Sequence, residues 1–390
     1  MALWLWATID GVGSAREVQR LCGRDDPYRW LCGGVSVNHH TLADFRCAHG
    51  PWLDAQLSAS IAALLERRLV TLDVVAQDGL RVRASAKSSS FRRKHRLLQL
   101  HEIAQQQVQA LKAELDADAG ASARRKQARQ ARHALDREQR LAQALHTLER
   151  IDKRTRGQLS EKAANRRSAP RAEPALAGKP AEANKTNKAD KAAKDTKPVK
   201  APAEPRASTS EPQARIMKMA DGGYRPAYNV QLAVDEASQL IAALQVSDQG
   251  SDMHEMVPLH AQLVERYGHT PAYWLADGGY PRHAAIEHVS RSGTQPVIPP
   301  ARGRTKAFDP LAPQPTDSCE LARWRALMAS DEGKALYKRR CASIECANAQ
   351  LRRRGLYSFN VRGMLKARAV VLWHALAHNL MRMRSLGLAI

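Results

Sequence analysis

Aromatic side chains are scarce in this chain: Phe, Trp and Tyr make up 5% of its 390 residues, with only 4 Phe. That argues against sequence-tolerant binding of single strands, which needs rows of stacking platforms. Cysteine is sparse and scattered. Cys22, Cys32, Cys47, Cys319, Cys341 and Cys346 form no Cys-x-x-Cys pair and lack a secretory context, so a reducing cytoplasm is expected rather than a disulfide framework. His39, His40 and His49 lie near Cys32 and Cys47, but their spacing suits zinc poorly. Long apolar runs are missing too. The opening ALWLWATIDGVG has no basic n-region and is interrupted by Asp10, so it reads as a buried helix and not a signal peptide. Ala369 to Met381 carries His374, His378 and Asn379 and is too short to cross a bilayer, so no membrane role follows.

Acidic charge is also in short supply, with 39 Asp and Glu against 61 Lys and Arg, a net charge of +22 and a pI near 10.1. Such a balance predicts a polyanionic partner, and nucleic acid fits best, with backbone electrostatics carrying most of the affinity. Against that background the few acids in apolar or basic surroundings stand out. Glu345 is the lone acid of YKRRCASIECANAQLR, Tyr337 to Arg352, a helical pattern otherwise lined with Arg and Lys. Asp78 in LDVVAQDGLRVRA and Asp277 in AYWLADGGY sit where apolar, strand-like runs end. Two carboxylates about 4 Å apart repel by roughly 4 kcal/mol at an effective dielectric near 20, so they stay ionised together only around cations. Oxygen-only ligands favour Mg2+ or Mn2+ over zinc. Two such ions clamp the attacking and leaving oxygens of an in-line displacement at phosphorus, which is the reaction of DNA cleavage and strand transfer.

The motifs resemble those of the DDE transposases of bacterial insertion sequences, which have an RNase H-like catalytic core and an InsH-like N-terminal domain. YRWLCGGVSVNHHTLADFR, Tyr28 to Arg46, is similar to the family's helical domain. QDGLRVRAS, RIMKMADGGYRPAYNVQLAVD, WLADGGY, the Tyr337 to Arg352 helix and ALAHNL resemble family motifs in the family order. The resemblance implies an Mg2+- or Mn2+-dependent transposase in which Asp78, Asp277 and Glu345 are the catalytic, metal-binding acids. Tyr337, Arg340 and Arg352 match the basic and aromatic positions around the acid, and Lys338 joins them as a DNA contact. It implies double-stranded DNA, as element ends and target, for a partner, and a homodimer on DNA because two ends must be joined. Family members carry several tens of residues ahead of the point where Met1 falls, so a late start or a truncated copy is expected. The alternatives are a DNA-binding remnant without activity and a metal-dependent nuclease without strand transfer. Cys346 stands where many relatives have proline or another apolar residue.

The expected fold class is α/β, an RNase H-like mixed sheet with a helical N-terminal domain and an inserted helical hairpin followed by a disordered basic linker. Composition divides the chain into a helical N-terminal region over 1–69, a first strand of the core in 70–90, the hairpin over 91–156, the linker over 157–213 and the rest of the core over 214–390. Ser14 to Glu17 and Thr41 to Asp44 read as capping boxes. The short basic helices of the first region suit either a DNA-facing module or a bundle packed on the core. Leu97, Leu100, Ala104, Leu111 and Leu115, then Leu135, Leu141, Leu145 and Leu148, recur at heptad-like spacing on either side of a break at Asp116 to Gly120. The Arg-rich return arm, Arg124 to Arg140, suits phosphates or plain solvation. PAYNVQLAVD and QLIAALQV predict a strand hairpin extending the sheet of Asp78, and Pro299 to Pro315 forms a Pro-, Gly- and Lys-rich segment before the Glu345 helix. In a regular helix Lys338, Glu345 and Arg352 share one face. Among rival acids, Asp73 competes with Asp78 for the first position, Asp221 reads as a turn residue, and Asp248 and Asp252 read as turn and cap residues. His378 and Asn379 read as satisfied polar groups on a packed terminal helix.

Overall fold

The computed structural model describes residues 1–117, 121–167, 204–301 and 309–388. Two units emerge, Met1–Ser89 with Gln213–Ile390, and Ser90–Pro212. The first begins with α1 (Ala2–Ile9), α2 (Ala15–Leu21), α3 (Asp26–Leu31), α4 (His39–Ala48) and α5 (Gly50–Glu66). The Ser14 hydroxyl accepts from the Glu17 amide at 3.4 Å, which is the N-cap half of the first capping box, while the Glu17 carboxylate pairs with Arg20. The second box does not form. Asn38 caps α4 by accepting from the His40 amide at 2.8 Å, and Thr41 lies inside the helix, because the extended backbone a cap needs occurs at Asn38.

The sheet of this unit contains β1 (Val74–Arg83), β4 (Arg215–Lys218), β5 (Tyr224–Asp235), β6 (Ile241–Ser247), β7 (Tyr273–Leu275) and β8 (Gln295–Val297). The long apolar run of β5 makes it the spine: β1 pairs antiparallel along one edge, while β4 and β6 pair antiparallel along the other. Beyond β1 the direction changes, with β7 and β8 added parallel. An open mixed α/β sheet of this kind agrees with the RNase H-like expectation.

Helices close the sheet. They are α8 (Met256–Tyr267), α9 (His283–Arg291), α10 (Cys319–Ala329), α11 (Asp331–Arg340), α12 (Cys346–Arg353) and α13 (Met364–Ser385). The N-terminal helices α1, α4 and α5 pack on α13, so in this structure they share one core with the sheet. Four fully buried indoles anchor that core, and each finds an acceptor: Trp4 donates to the Leu42 carbonyl, Trp373 to Arg46, Trp324 to Ile298, and Trp274 to the Gln77 side chain. On α13, Asn379 exchanges hydrogen bonds with the Ile241 backbone and His378 donates to the Gln239 carbonyl at 2.9 Å, which satisfies both as the sequence reading has it. No helix among the described residues is long and apolar enough to cross a membrane.

The second unit is a hairpin of α6 (Lys94–Ala117) and α7 (Ala121–Arg167), with β2 (Phe91–Arg92) paired to β3 (Ala207–Ser208) at its base. Leu97, Ala104, Leu141 and Leu148 form the buried seam with Ala144 and Ile151, and Leu100 and Leu145 flank it. Leu135 departs from the predicted stripe and is 41% exposed, because the seam turns away from it toward the His101–Glu138 pair (3.1 Å). The segment read as linker from 157 is still helical to Arg167, since Ala, Arg, Lys and Glu favour helix as strongly as they favour disorder, and its end contributes β3. The linker expected over 168–203, and the 302–308 part of the Pro-, Gly- and Lys-rich segment, lie outside the described residues.

Candidate active site

Strand register brings the first two acids level. β1 pairs with β7 from Val74 opposite Tyr273 to Ala76 opposite Leu275; two residues on, Asp78 lies inside β1, which continues to Arg83 against β5 and so does not end at this acid as expected, whereas Asp277 lies just past the end of β7. Side chains alternate along a strand, so Asp78 shares a face with Ala76 and Asp277 continues the face of Leu275. Asp78 is mostly buried. Its Oδ1 accepts from the Gly79 amide at 2.9 Å and its Oδ2 from the Asn348 side chain at 2.8 Å. Burial pushes its carboxyl up to about 6, Asp277 and Asp252 add to the rise, and Arg340 and the Gly79 amide oppose it. Asp277 accepts from the Gly279 amide at 2.8 Å, a turn so tight that a Cβ on Gly279 would stand 2.9 Å from the same oxygen.

Glu345 approaches from the helical layer. The five residues Cys341–Glu345 form a π-turn between α11 and α12. A π-turn adds one residue to the helical circuit, so Arg340 and Glu345, five apart, stand as i and i+4 residues would. The Arg340 guanidinium donates through Nη2 to Glu345 Oε1 at 3.3 Å, while Nη1 lies 3.9 Å from Asp78 Oδ2. Arg340 thus spans two of the three predicted acids. Burial works against its charge, but Asp78, Tyr337 and Asp277 together raise its proton affinity further, and its guanidinium carbon lies 6.0 Å from the Tyr337 ring centre. Nε and Nη1 of this buried side chain have no hydrogen-bond partner. Glu345 itself is 55% exposed on its side chain.

The π-turn also corrects the expected face. The extra residue rotates Lys338 by roughly 120° relative to Glu345, so Lys338 leaves that face and points to solvent. Arg352 stays on it, since only regular α12 intervenes. Asp73 pairs with His269 at 3.5 Å on the exposed rim, and Asp221 accepts from the Gly223 amide and Arg225 in a surface turn.

One residue was misread in the sequence. Asp252 is not simply a cap. Its Oδ1 accepts from Asn229 at 2.6 Å and Gln231 at 2.8 Å, and its Oδ2 from Arg81 at 3.0 Å, which puts a fourth carboxylate in the electrostatic field of Asp78. Gln231 ties this acid to the loop after β7: its side-chain oxygen accepts from the buried Tyr280 hydroxyl at 2.6 Å and from Gln77 at 2.8 Å. Burial, then Asp252, Asp78 and Asp277, hold the Tyr280 hydroxyl well above its ordinary value, so it stays a neutral donor. The alternating polar residues Asn229 and Gln231 inside an apolar strand are the signal that would have found this network.

Among the described residues no three His, Cys, Asp or Glu side chains stand close enough together to form a ready-made ligand cage. The donors that do converge are carboxylates, and Asp78 carries a raised proton affinity in part because of the acids beside it. An oxygen-only donor set in a negative field suits a hard divalent cation.

Residues 188–380 match the family described as Transposase DDE domain. That span includes Asp277 and Glu345, while Asp78 lies ahead of it, across the inserted unit. No curated protein and no solved structure matches the chain significantly.

Proposed function

Residues 188–380 make this chain a member of the DDE transposases, and from that premise we propose that it cuts DNA at insertion-sequence ends and transfers the freed strands to target DNA, with Asp78, Asp277 and Glu345 as the catalytic acids. The observation that carries this reading is the approach of Asp78, midway along β1, and Asp277, just past the end of the neighbouring β7, with Arg340 spanning Asp78 and Glu345. In the proposed reaction, water attacks a phosphodiester at the element end, the bond from phosphorus to the 3′ oxygen breaks, and a 3′-hydroxyl and a 5′-phosphate result. That 3′-hydroxyl then attacks a target phosphodiester, expelling the target's own 3′-hydroxyl as the new bond forms. Bound Mg2+ or Mn2+ would supply Lewis-acid activation of the attacking oxygen and stabilise charge on the leaving one.

The chain's own groups prepare that chemistry. Asp78 gives up its proton near pH 6, so its ligating form predominates at neutral pH. Asn348 and the Gly79 amide fix its carboxylate, and the Gly279 amide fixes Asp277. Arg340 balances Asp78 and Glu345 before a cation arrives and keeps donors free for an oxygen of the pentavalent phosphorus. Arg352 and Tyr337 join it as DNA contacts, with Lys338 at the exposed margin. Two copies on DNA are expected, because the reaction joins two ends.

The test is cleavage of supercoiled plasmid carrying the element ends, with Mg2+, by the parent chain, Asp277→Ala and Glu345→Ala. Cleavage and joining by the parent that vanish in both variants support the reading. Undiminished cleavage by either variant refutes the assignment of that acid; nicking without joining indicates a nuclease, and binding without cutting an inactive remnant.

A further inference from the structure

A second concave surface includes Arg352, and apart from that residue no step proposed above uses it. It has a volume of about 320 Å3 and is lined by Arg81, Arg83, Arg225, Arg352 and Tyr357, with Asp221 as its acid. Two of the arginines are anchored and two are not. Arg81 donates to the Gly250 carbonyl at 2.9 Å and to Asp252, while Arg225 pairs with Asp221 at 2.6 Å. Arg83 and Arg352 have no acidic partner among the described residues, and Arg83 is exposed. The wall is rigid where Arg83 stands: its amide donates to the Tyr357 carbonyl at 3.1 Å and its carbonyl accepts from the Phe359 amide at 2.8 Å, so residues 357–359 extend the sheet alongside β1. The Tyr357 side chain is left 56% exposed at the rim. A cleft with this excess of fixed positive charge concentrates a field that attracts a polyanion.

We propose that this cleft binds the sugar-phosphate backbone of duplex DNA a few nucleotides from the position engaged at Glu345, with Arg83 and Arg352 as the phosphate contacts and Arg81 and Arg225 as the positive wall behind them. The proposal rests on the reading of the chain as an enzyme acting on DNA. Its distance follows from helix geometry: Arg352 is seven residues beyond Glu345, about 10 Å along α12, which matches roughly three nucleotides of one strand at ~3.4 Å each. Contacts of this type position the duplex and carry no sequence information.

The experiment is fluorescence anisotropy of a labelled duplex oligonucleotide titrated with the full chain across a range of KCl concentrations, in EDTA so that no cleavage occurs. Log affinity falls against log salt with a slope of about 0.9 per phosphate contact. Arg83→Ala should reduce that slope by about 1, and by the same relation weaken binding about eightfold at 0.1 M salt, while Arg83→Lys keeps most of both. Arg83→Ala/Arg352→Ala should lose about 2 from the slope. A parent slope preserved in Arg83→Ala and in the double variant overturns the cleft, as does a parent chain that does not bind the duplex. The Asp277 and Glu345 cleavage test reads out separately: its failure with an altered Arg83 slope refutes the catalytic assignment alone, and the reverse pattern refutes the cleft alone. Unchanged tryptophan emission in each variant verifies the fold.

Discussion

Lowering the pH should unfold the sheet-containing unit through three buried histidines. His260, His374 and His378 are each held near 4, with burial the largest cause in every case. All three are built in as neutral rings: His260 faces the Thr294 hydroxyl at 2.8 Å, His374 the Val370 carbonyl at 2.9 Å, and His378 the Gln239 carbonyl. Because their folded values lie below the ordinary 6.5, the stability they represent is intact above pH 6.5 and is lost as pH falls toward 4. A shift of this size is worth about 3 kcal/mol per histidine. Asp78 runs the other way. Its folded value, about 6, lies above that of an unfolded aspartate, so near pH 5 it releases about one proton on unfolding, and Asp235, raised by burial, works in the same direction. Unfolding between pH 5 and 6 should therefore take up about two protons net, a slope of roughly 2–3 kcal/mol per pH unit. That is a large part of a typical total stability of about 5–15 kcal/mol. The assay is urea denaturation at a series of pH values followed by tryptophan emission, since all 7 tryptophans lie in this unit. His378→Asn should lower the slope by about 1.4 kcal/mol per pH unit. A slope near zero in the parent, or one unchanged by that substitution, refutes the reasoning.

Other perturbations have equally definite outcomes. Gly79→Ala puts a methyl group 2.6 Å from the Gln231 amide nitrogen and 2.9 Å from Asn229 Oδ1, and against Asp252; it should cost about 1–3 kcal/mol, read as a lowered urea midpoint. Arg340→Gln removes the cation opposing the rise at Asp78, so the acidic limb of the pH–cleavage profile should move upward, with kcat down about 10²–10³-fold; an unmoved limb would count against the contact. Asp54 joins α5 to α8 and α13 through Arg266 at 3.0 Å and Arg368 at 2.8 Å, and Asp54→Ala should destabilise the unit by about 1–3 kcal/mol in the same denaturation assay.

Asp277 stood out because a short apolar run through Ala276 ends at it, and the β5–β6 hairpin was legible from the alternation of PAYNVQLAVD and QLIAALQV. Glu345 was legible as a lone acid among cations, but the π-turn before it was not, since one added residue leaves no mark on composition and only a one-step offset in periodicity. That offset alone misplaced Lys338. Asp252 was hidden for a different reason. Its partners Asn229 and Gln231 lie on a strand more than twenty residues upstream, and a loop aspartate beside Ser251 carries the local signature of a cap, which Ser251 in fact provides. The helix to Arg167 was missed because charged, Ala-rich sequence satisfies helix and disorder alike until tertiary contacts decide.

The small ladder at the foot of the helical hairpin has a consequence for how the sheet can assemble. Phe91 and Arg92 pair with Ser208 and Ala207, so the chain departs and returns at one point. Without that closure, β1 must find β5 across a loop of roughly 140 residues; with it, the effective loop shrinks to roughly 25, which lowers the entropy of closure by about 1.5 kcal/mol. A locally formed hairpin thus turns a distant strand pairing into a near one, and the ladder at its foot lowers the entropic cost of bringing β1 to β5.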